Sequence, residues 1–137
     1  MSHPMLLSKL LASARRENDS LVLDVPTSWM QGRSVFGGLQ AAFAVQAMRA
    51  LEPAAPLRTL QATFVAPVTG SMRVQAQLLR RGKSATHIEA RIGEGGVTQA
   101  SIVGVFGTAR SSGVSRTLAE PAFEVDAARV FEKPFGE

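Results

Sequence analysis

The stretch WMQGRSVFGGLQAAFAVQAM, Trp29 to Met48, decides how this chain folds. It opens as a polar loop with a glycine and passes through Phe36-Gly37-Gly38. It then runs on as an apolar segment in which only Gln40 and Gln46 are polar before Arg49. A helix on a protein surface carries a polar face at the 3.6-residue period. Read as a helix over 38–51 and stopped by Glu52-Pro53-Ala54-Ala55-Pro56, this segment has no such face. Something must enclose it on nearly all sides.

The flanking sequence supplies the wrapping. Ser20–Val25 reads as a strand ended by Pro26, and four more strand candidates follow the helix at 57–66, 71–80, 84–92 and 97–107. In the second of these, Met72, Val74, Ala76 and Leu78 alternate with Arg73, Gln75 and Gln77. In the third, Thr86, Ile88, Ala90 and Ile92 alternate with His87, Glu89 and Arg91, which predicts a solvent-facing His87. The short glycine-bearing links Arg80-Arg81-Gly82-Lys83 and Gly93-Glu94-Gly95-Gly96 predict antiparallel hairpins, and the four strands are expected in meander order. One antiparallel sheet with one apolar face and a single helix to cover it must curl around that helix. The expectation is an α+β hotdog fold, about five strands around one central helix. The domain spans 1–109, with an amphipathic helix at 4–17 carrying Leu6, Leu7, Leu10, Leu11 and Ala14 on one stripe. A linker-like tail at 110–137 follows.

Composition bounds the function. The 137 residues carry a net charge of +4, unevenly spread. Residues 119–137 hold Glu120, Glu124, Asp126, Glu132 and Glu137 against Arg129 and Lys133. The rest is left with 13 basic and 6 acidic residues. A basic body suits an anionic partner. Without tyrosine, with one tryptophan and with no Lys/Arg run longer than two, a small phosphate-bearing ligand is expected rather than nucleic acid. The absence of cysteine excludes disulfides and thiolate metal sites and fits a reducing, cytoplasmic setting. In the first 17 residues the charges follow the apolar part, the wrong order for a signal peptide. No run reaches the roughly 18 apolar residues of a membrane span. Two histidines offer no metal-ligand cluster, so no metal and no cofactor are expected.

Four elements in order (W-x-x-G-R-x-x-F-G-G from Trp29, the alanine-rich helix, F-x-x-P at Phe64–Pro67, and L-R-R-G-K-S at Leu79–Ser84) resemble the acyl-CoA thioesterase II-like family. The resemblance covers about residues 20–107. It implies acyl-thioester hydrolysis, with acyl-CoA or an acyl-carrier thioester as substrate. Members of that family usually carry two hotdog repeats, and this chain resembles the first. Hotdog units pair side by side with the substrate at the interface, so the resemblance implies a homodimer or higher oligomer.

Thioester hydrolysis needs a polarised carbonyl, an activated water and a grip on the thiol-bearing moiety. Gly37 and Gly38, where the helix begins, offer free backbone N–H groups that a carbonyl can approach closely. The same glycines would also serve a tight turn. For the water, Gln40, Gln46 and Thr63 are the polar candidates, with Glu94 and Gln99 further along the chain. Related single-repeat enzymes carry an acid on this helix about seven residues after the second glycine. Here that position is Val45, and no acid occurs between Asp24 and Glu52. In the double-repeat members the acid belongs to the second repeat. The resemblance therefore leaves two readings open: a thioesterase, or a non-catalytic half or acyl-CoA-binding module. Arg33, Arg80, Arg81 and Lys83, with Ser84, are candidates for the nucleotide phosphates. Phe36 and Phe64, with Trp29, are candidates for the acyl chain.

Overall fold

The computed structural model describes residues 5–122. In chain order these form α1 (Leu7–Ala12), β1 (Arg15–Glu17), β2 (Ser20–Asp24), a single 3-10 turn (Thr27–Trp29), β3 (Met30–Gln31), β4 (Ser34–Val35) and α2 (Gly37–Arg49). Four long strands follow: β5 (Leu57–Phe64), β6 (Ser71–Arg81), β7 (Ala85–Glu94) and β8 (Val97–Gly107). Six strands make one antiparallel sheet in the order β1-β2-β6-β7-β8-β5, while β3 and β4 form a separate two-stranded ribbon. No helix among the described residues is long and apolar enough to cross a membrane.

The apolar alternation read along the third long strand holds throughout. Thr86, Ile88, Ala90 and Ile92 are buried against α2, and β8 contributes Ala100, Ile102 and Phe106 to the same face. On β6 the alternation holds through Met72, Val74 and the partly buried Ala76. Beyond it Leu78 and Leu79 are exposed, next to a register shift between Leu78 and Arg80. Helix α2 lies across β6, β7 and β8, burying Leu39, Gln40, Phe43, Ala44, Ala47 and Met48. From Leu39 to Arg49 none of its residues is exposed. Each fully buried side chain of Phe43 size contributes about 1.5–3 kcal/mol of apolar burial.

Two expectations are corrected. The helix predicted over 4–17 is six residues long, and its expected start at Pro4 lies outside the described residues. Arg15–Glu17 instead forms β1, which pairs with β2 through a tight turn where Asn18 takes a φ of 54°. Asn is among the few residues that tolerate this left-handed conformation. The four-strand meander is also incomplete, because β5 pairs with β8 at the far side of the sheet. The link 65–70 contains Pro67 and is too long for a two-residue hairpin, so the chain crosses the end of α2 before starting β6. In the segment expected as a linker-like tail, residues 110–122 run as exposed chain without helix or strand, and 123–137 lie outside the described residues.

Candidate active site

The crossing link shapes an opening at the N-terminal end of α2. Val35 donates its N–H to the Val68 carbonyl (2.7 Å), and Val68 N–H donates to Ser34 Oγ (3.2 Å), tying the link to β4. Gln99 Nε2 donates to the Pro67 carbonyl (2.8 Å) from β8. Between ribbon, helix and link lies a cavity of about 470 Å³ lined by Gln31, Ser34, Gly37, Gln40, Phe64 and Pro67 among others. No charged side chain is among its lining residues.

The helix starts here without a side-chain cap. The Phe36 carbonyl accepts from Leu39 N–H (3.0 Å) and Gln40 N–H (3.2 Å). Among the described residues no backbone or side-chain group accepts from the amides of Gly37 and Gly38. They are two of the unsatisfied donors of a helix N-terminus, where the dipole adds a partial positive charge. The rings of Phe36 and Phe64 lie over them. A Cβ on Gly38 would come 2.5 Å from the Phe36 ring and one on Gly37 3.0 Å from the Phe64 ring, so only glycine lets both rings close down. Both phenylalanines are exposed on their other side.

Of the remaining candidates, Gln40 belongs to this opening. It is buried, and its Nε2 donates to the Val35 carbonyl at 2.8 Å. Arg33 is exposed in the turn of the β3–β4 ribbon. Gln46 lies two turns further along the helix. Its Nε2 donates to the Leu11 carbonyl (3.1 Å) and joins α1 to α2, beside a separate cavity of about 220 Å³. Thr63 stands opposite Ser101 on the sheet face turned away from the helix, whereas Leu60, Ala62 and Phe64 share the helix side with Gly104, Ile102 and Ala100. Trp29 donates Nε1–H to the Met5 carbonyl (3.1 Å) and packs on the core, outside the cavity lining. Glu94 is exposed in its turn and pairs with Arg73 at 3.6 Å. His87 is half-buried with its Nδ1 unpartnered, less open than its strand pattern predicts.

The basic turn lies elsewhere. Arg81, Gly82, Lys83 and Ser84 surround a cavity of about 380 Å³ at the C-terminal end of α2. A 13-residue helix is about 20 Å long, so within one chain these cations do not reach Gly37. Glu52 organises that end, an importance not drawn from the sequence. Its buried carboxylate accepts from Arg81 Nη1 (2.6 Å), Thr86 Oγ1 (3.2 Å) and Ala55 N–H (3.2 Å). The Ala55 amide first, and then the Arg81 guanidinium, hold it below the usual carboxylate range. The available signal was an acid directly after the helix with a doubled arginine across the sheet.

Residues 25–109 match the family described as acyl-CoA thioesterase N-terminal domain. The chain belongs to that family. Solved structures agree on the fold. A hot dog fold protein of Alicyclobacillus acidocaldarius superposes with a TM-score of 0.72 at 20% identity, covering 98% of this chain and 52% of that one. A Bacillus halodurans protein solved with CoA gives 0.59 at 21% identity, covering 65% and 66%. The E. coli PaaI protein from the phenylacetic acid degradation operon gives 0.60 at 19%, covering 66% and 72%. The chain thus spans about half the length of the Alicyclobacillus protein. Among curated proteins none matches the sequence.

Proposed function

We propose that this chain binds acyl thioesters with the carbonyl oxygen on the amides of Gly37 and Gly38, and hydrolyses them as a homodimer in the cytoplasm. The observation that carries this reading is the pair of acceptor-free N–H groups at the helix start, where Gly37 lines a cavity of about 470 Å³. Donors fixed in place before reaction stabilise the oxyanion of a tetrahedral intermediate.

The dimer rests on β5. This edge strand leaves seven of its eight residues exposed, including Leu60 and Phe64 on the helix side. On α2, Gly38 is exposed and Ala41, Ala42 and Val45 are half-buried. A long apolar edge is an aggregation hazard unless it is paired. Two-fold pairing of β5 with a second copy is antiparallel, so Leu57 of one copy approaches Phe64 of the other. That arrangement carries the second copy's Arg81–Ser84 turn to the end at which this copy's Gly37 opens. Arg80, Arg81 and Lys83 would then face the phosphates of a CoA whose acyl end lies on Gly37 and Gly38, with Phe36 and Phe64 against the acyl chain. Arg33 would flank the same opening.

A second reading, an acyl-CoA-binding half without catalysis, is favoured by one observation: no carboxylate is among the residues lining the cavity. Purified protein incubated with a panel of acyl-CoAs and a thiol-detecting reagent separates the two. Thiol release by the wild type, reduced about 100-fold or more in Gly38→Val, is the expected result. Saturable binding without release would select the binding half, and absence of both would overturn the site.

A further inference from the structure

The cavity of about 220 Å³ beside Gln46 lies between the C-terminal half of α2, the β1–β2 hairpin and β6, toward the β1 edge of the sheet. Its floor is apolar, built from Leu21, Val74, Ala76 and Ala47. Above this floor the helix end carries Ala47 and Ala50, whose short side chains leave the space open. One cation stands at its rim. Arg16 pairs opposite Leu21, and Leu21 opposite Val74. Residues directly opposite in a sheet share a face, and Val74 is buried under the helix, so Arg16 stands on the helix side. Its neighbours Arg15 and Arg73 share the other face, where Arg15 pairs with Glu17 (2.9 Å) and Asp24 (2.6 Å) and Arg73 with Glu17 (2.6 Å). Arg16 has no ion pair among the described residues. Asp19 also lines the cavity, but its Oδ1 accepts from Nε2 of Gln75 (3.0 Å), a residue on the outer face beside Val74.

We propose that this groove binds a small monocarboxylate with an aliphatic tail, its head group on Arg16 and its tail over Leu21, Ala47, Val74 and Ala76. A guanidinium stays charged at any working pH, and its planar fork matches a carboxylate. With one arginine and no second cation in the lining, the rim suits a single negative charge. The volume lies below the roughly 300–1,000 Å³ of drug-sized sites, which limits the occupant to a short tail. The apolar floor supplies the rest of the attraction by leaving water. This site is separate from the opening at Gly37 and shares no lining residue with it. Ala47 is ten residues further along the helix, about 15 Å at the rise of an α-helix. Because the proposed hydrolysis releases acids of this class at the other end of α2, a test must tell the two cavities apart.

The experiment is calorimetric titration of the full chain with hexanoate, hexanol and hexylammonium, which share a tail and differ in head group. Hexanoate is expected to bind saturably, about tenfold or more tighter than hexanol, and hexylammonium not measurably. Arg16→Gln should weaken hexanoate by about tenfold or more. Ala50→Leu, at an exposed position of the lining, should weaken it as well by filling the groove. Gly38→Val, at the other end of the helix, should bind hexanoate as the wild type does. Circular dichroism confirms the folding of each variant. No saturable binding of hexanoate, equal affinity for hexanol, or an unchanged affinity in Arg16→Gln would each overturn the proposal. Binding lost in Gly38→Val but kept in Arg16→Gln would place the carboxylate at the glycine opening, which overturns the groove and leaves the thioester reading standing. Thiol release from acyl-CoA reports on that reading by itself, so the two proposals fail separately.

Discussion

The two ends of α2 are built on opposite principles. At the C-terminal end Arg49, Glu52 and Arg81 are all partnered. Arg49 donates to the carbonyls of Glu52 and Ala55 and stacks on Phe106, and Arg81 reaches both Glu52 and the Leu51 carbonyl. At the N-terminal end two amides and one glutamine oxygen have none, and the covering groups are two half-exposed aromatic rings. Helix ends normally recruit caps for their orphan groups. Here the capping chemistry is concentrated at one end and withheld at the other. A stitched end holds the sheet and helix together; an unstitched end leaves donors free.

The largest effect is expected where the two ends must meet. If pairing through β5 brings one copy's basic turn to the other's glycine pair, Leu60→Arg at the middle of that edge should separate the copies. The molar mass by light scattering should halve, and thioester release should fall about 100-fold or more, since the charge has no place in a paired apolar edge. A monomer with undiminished turnover would show that one end of the helix suffices by itself.

Next comes the turn. Lys83→Ala removes a cation from the rim of the basic cavity without touching the Glu52 cluster. It should raise KM for acyl-CoA about fivefold, with kcat unchanged, by loss of one charge-assisted contact to phosphate. The same acyl group on pantetheine, which has no nucleotide phosphates, should be handled equally by both proteins. Equal loss on the two substrates would place Lys83 in structure rather than in recognition.

Much of this fold was legible because burial writes a period into the sequence. The apolar run after Gly38 and the strict alternation of 86–92 each admit one arrangement, and both stand as read. The failures have a common cause. The 4–17 stripe is helical in pattern, but the turn at Asn18 rewards Arg15–Glu17 for pairing with β2, a contact between segments that no local period records. Meander order failed likewise, since strand neighbours depend on where a six-residue link can cross the helix. Among the site residues, Gly37, Gly38, Gln40, Phe36 and Phe64 converge because they share one helix end. Arg80, Arg81, Lys83 and Ser84 do not join them, because a turn close to the helix end in a one-dimensional motif list lies a full helix length away in space.

The smallest predicted effect tests the stitched end through its proton. Glu52 has a folded-state affinity for protons below the ordinary glutamate value of 4.5, so its partners stabilise the fold in full above that pH. The contribution fades as pH falls through the lower folded value, where the carboxylate must be neutralised. Glu52→Gln has no such charge to lose. The melting temperature of the variant should therefore lie below that of the wild type near pH 7, and the gap should close as the pH is taken from about 5 to below 4. Glu17, Asp24 and Glu89, each also lowered by arginine partners, remain in both proteins, so their acid limb cancels in the difference. A gap that stayed constant across that window would mean that Glu52 matters by shape alone. The C-terminal end would then owe its rigidity to packing on Phe106, and its contrast with the open end would no longer be one of satisfied against unsatisfied charge.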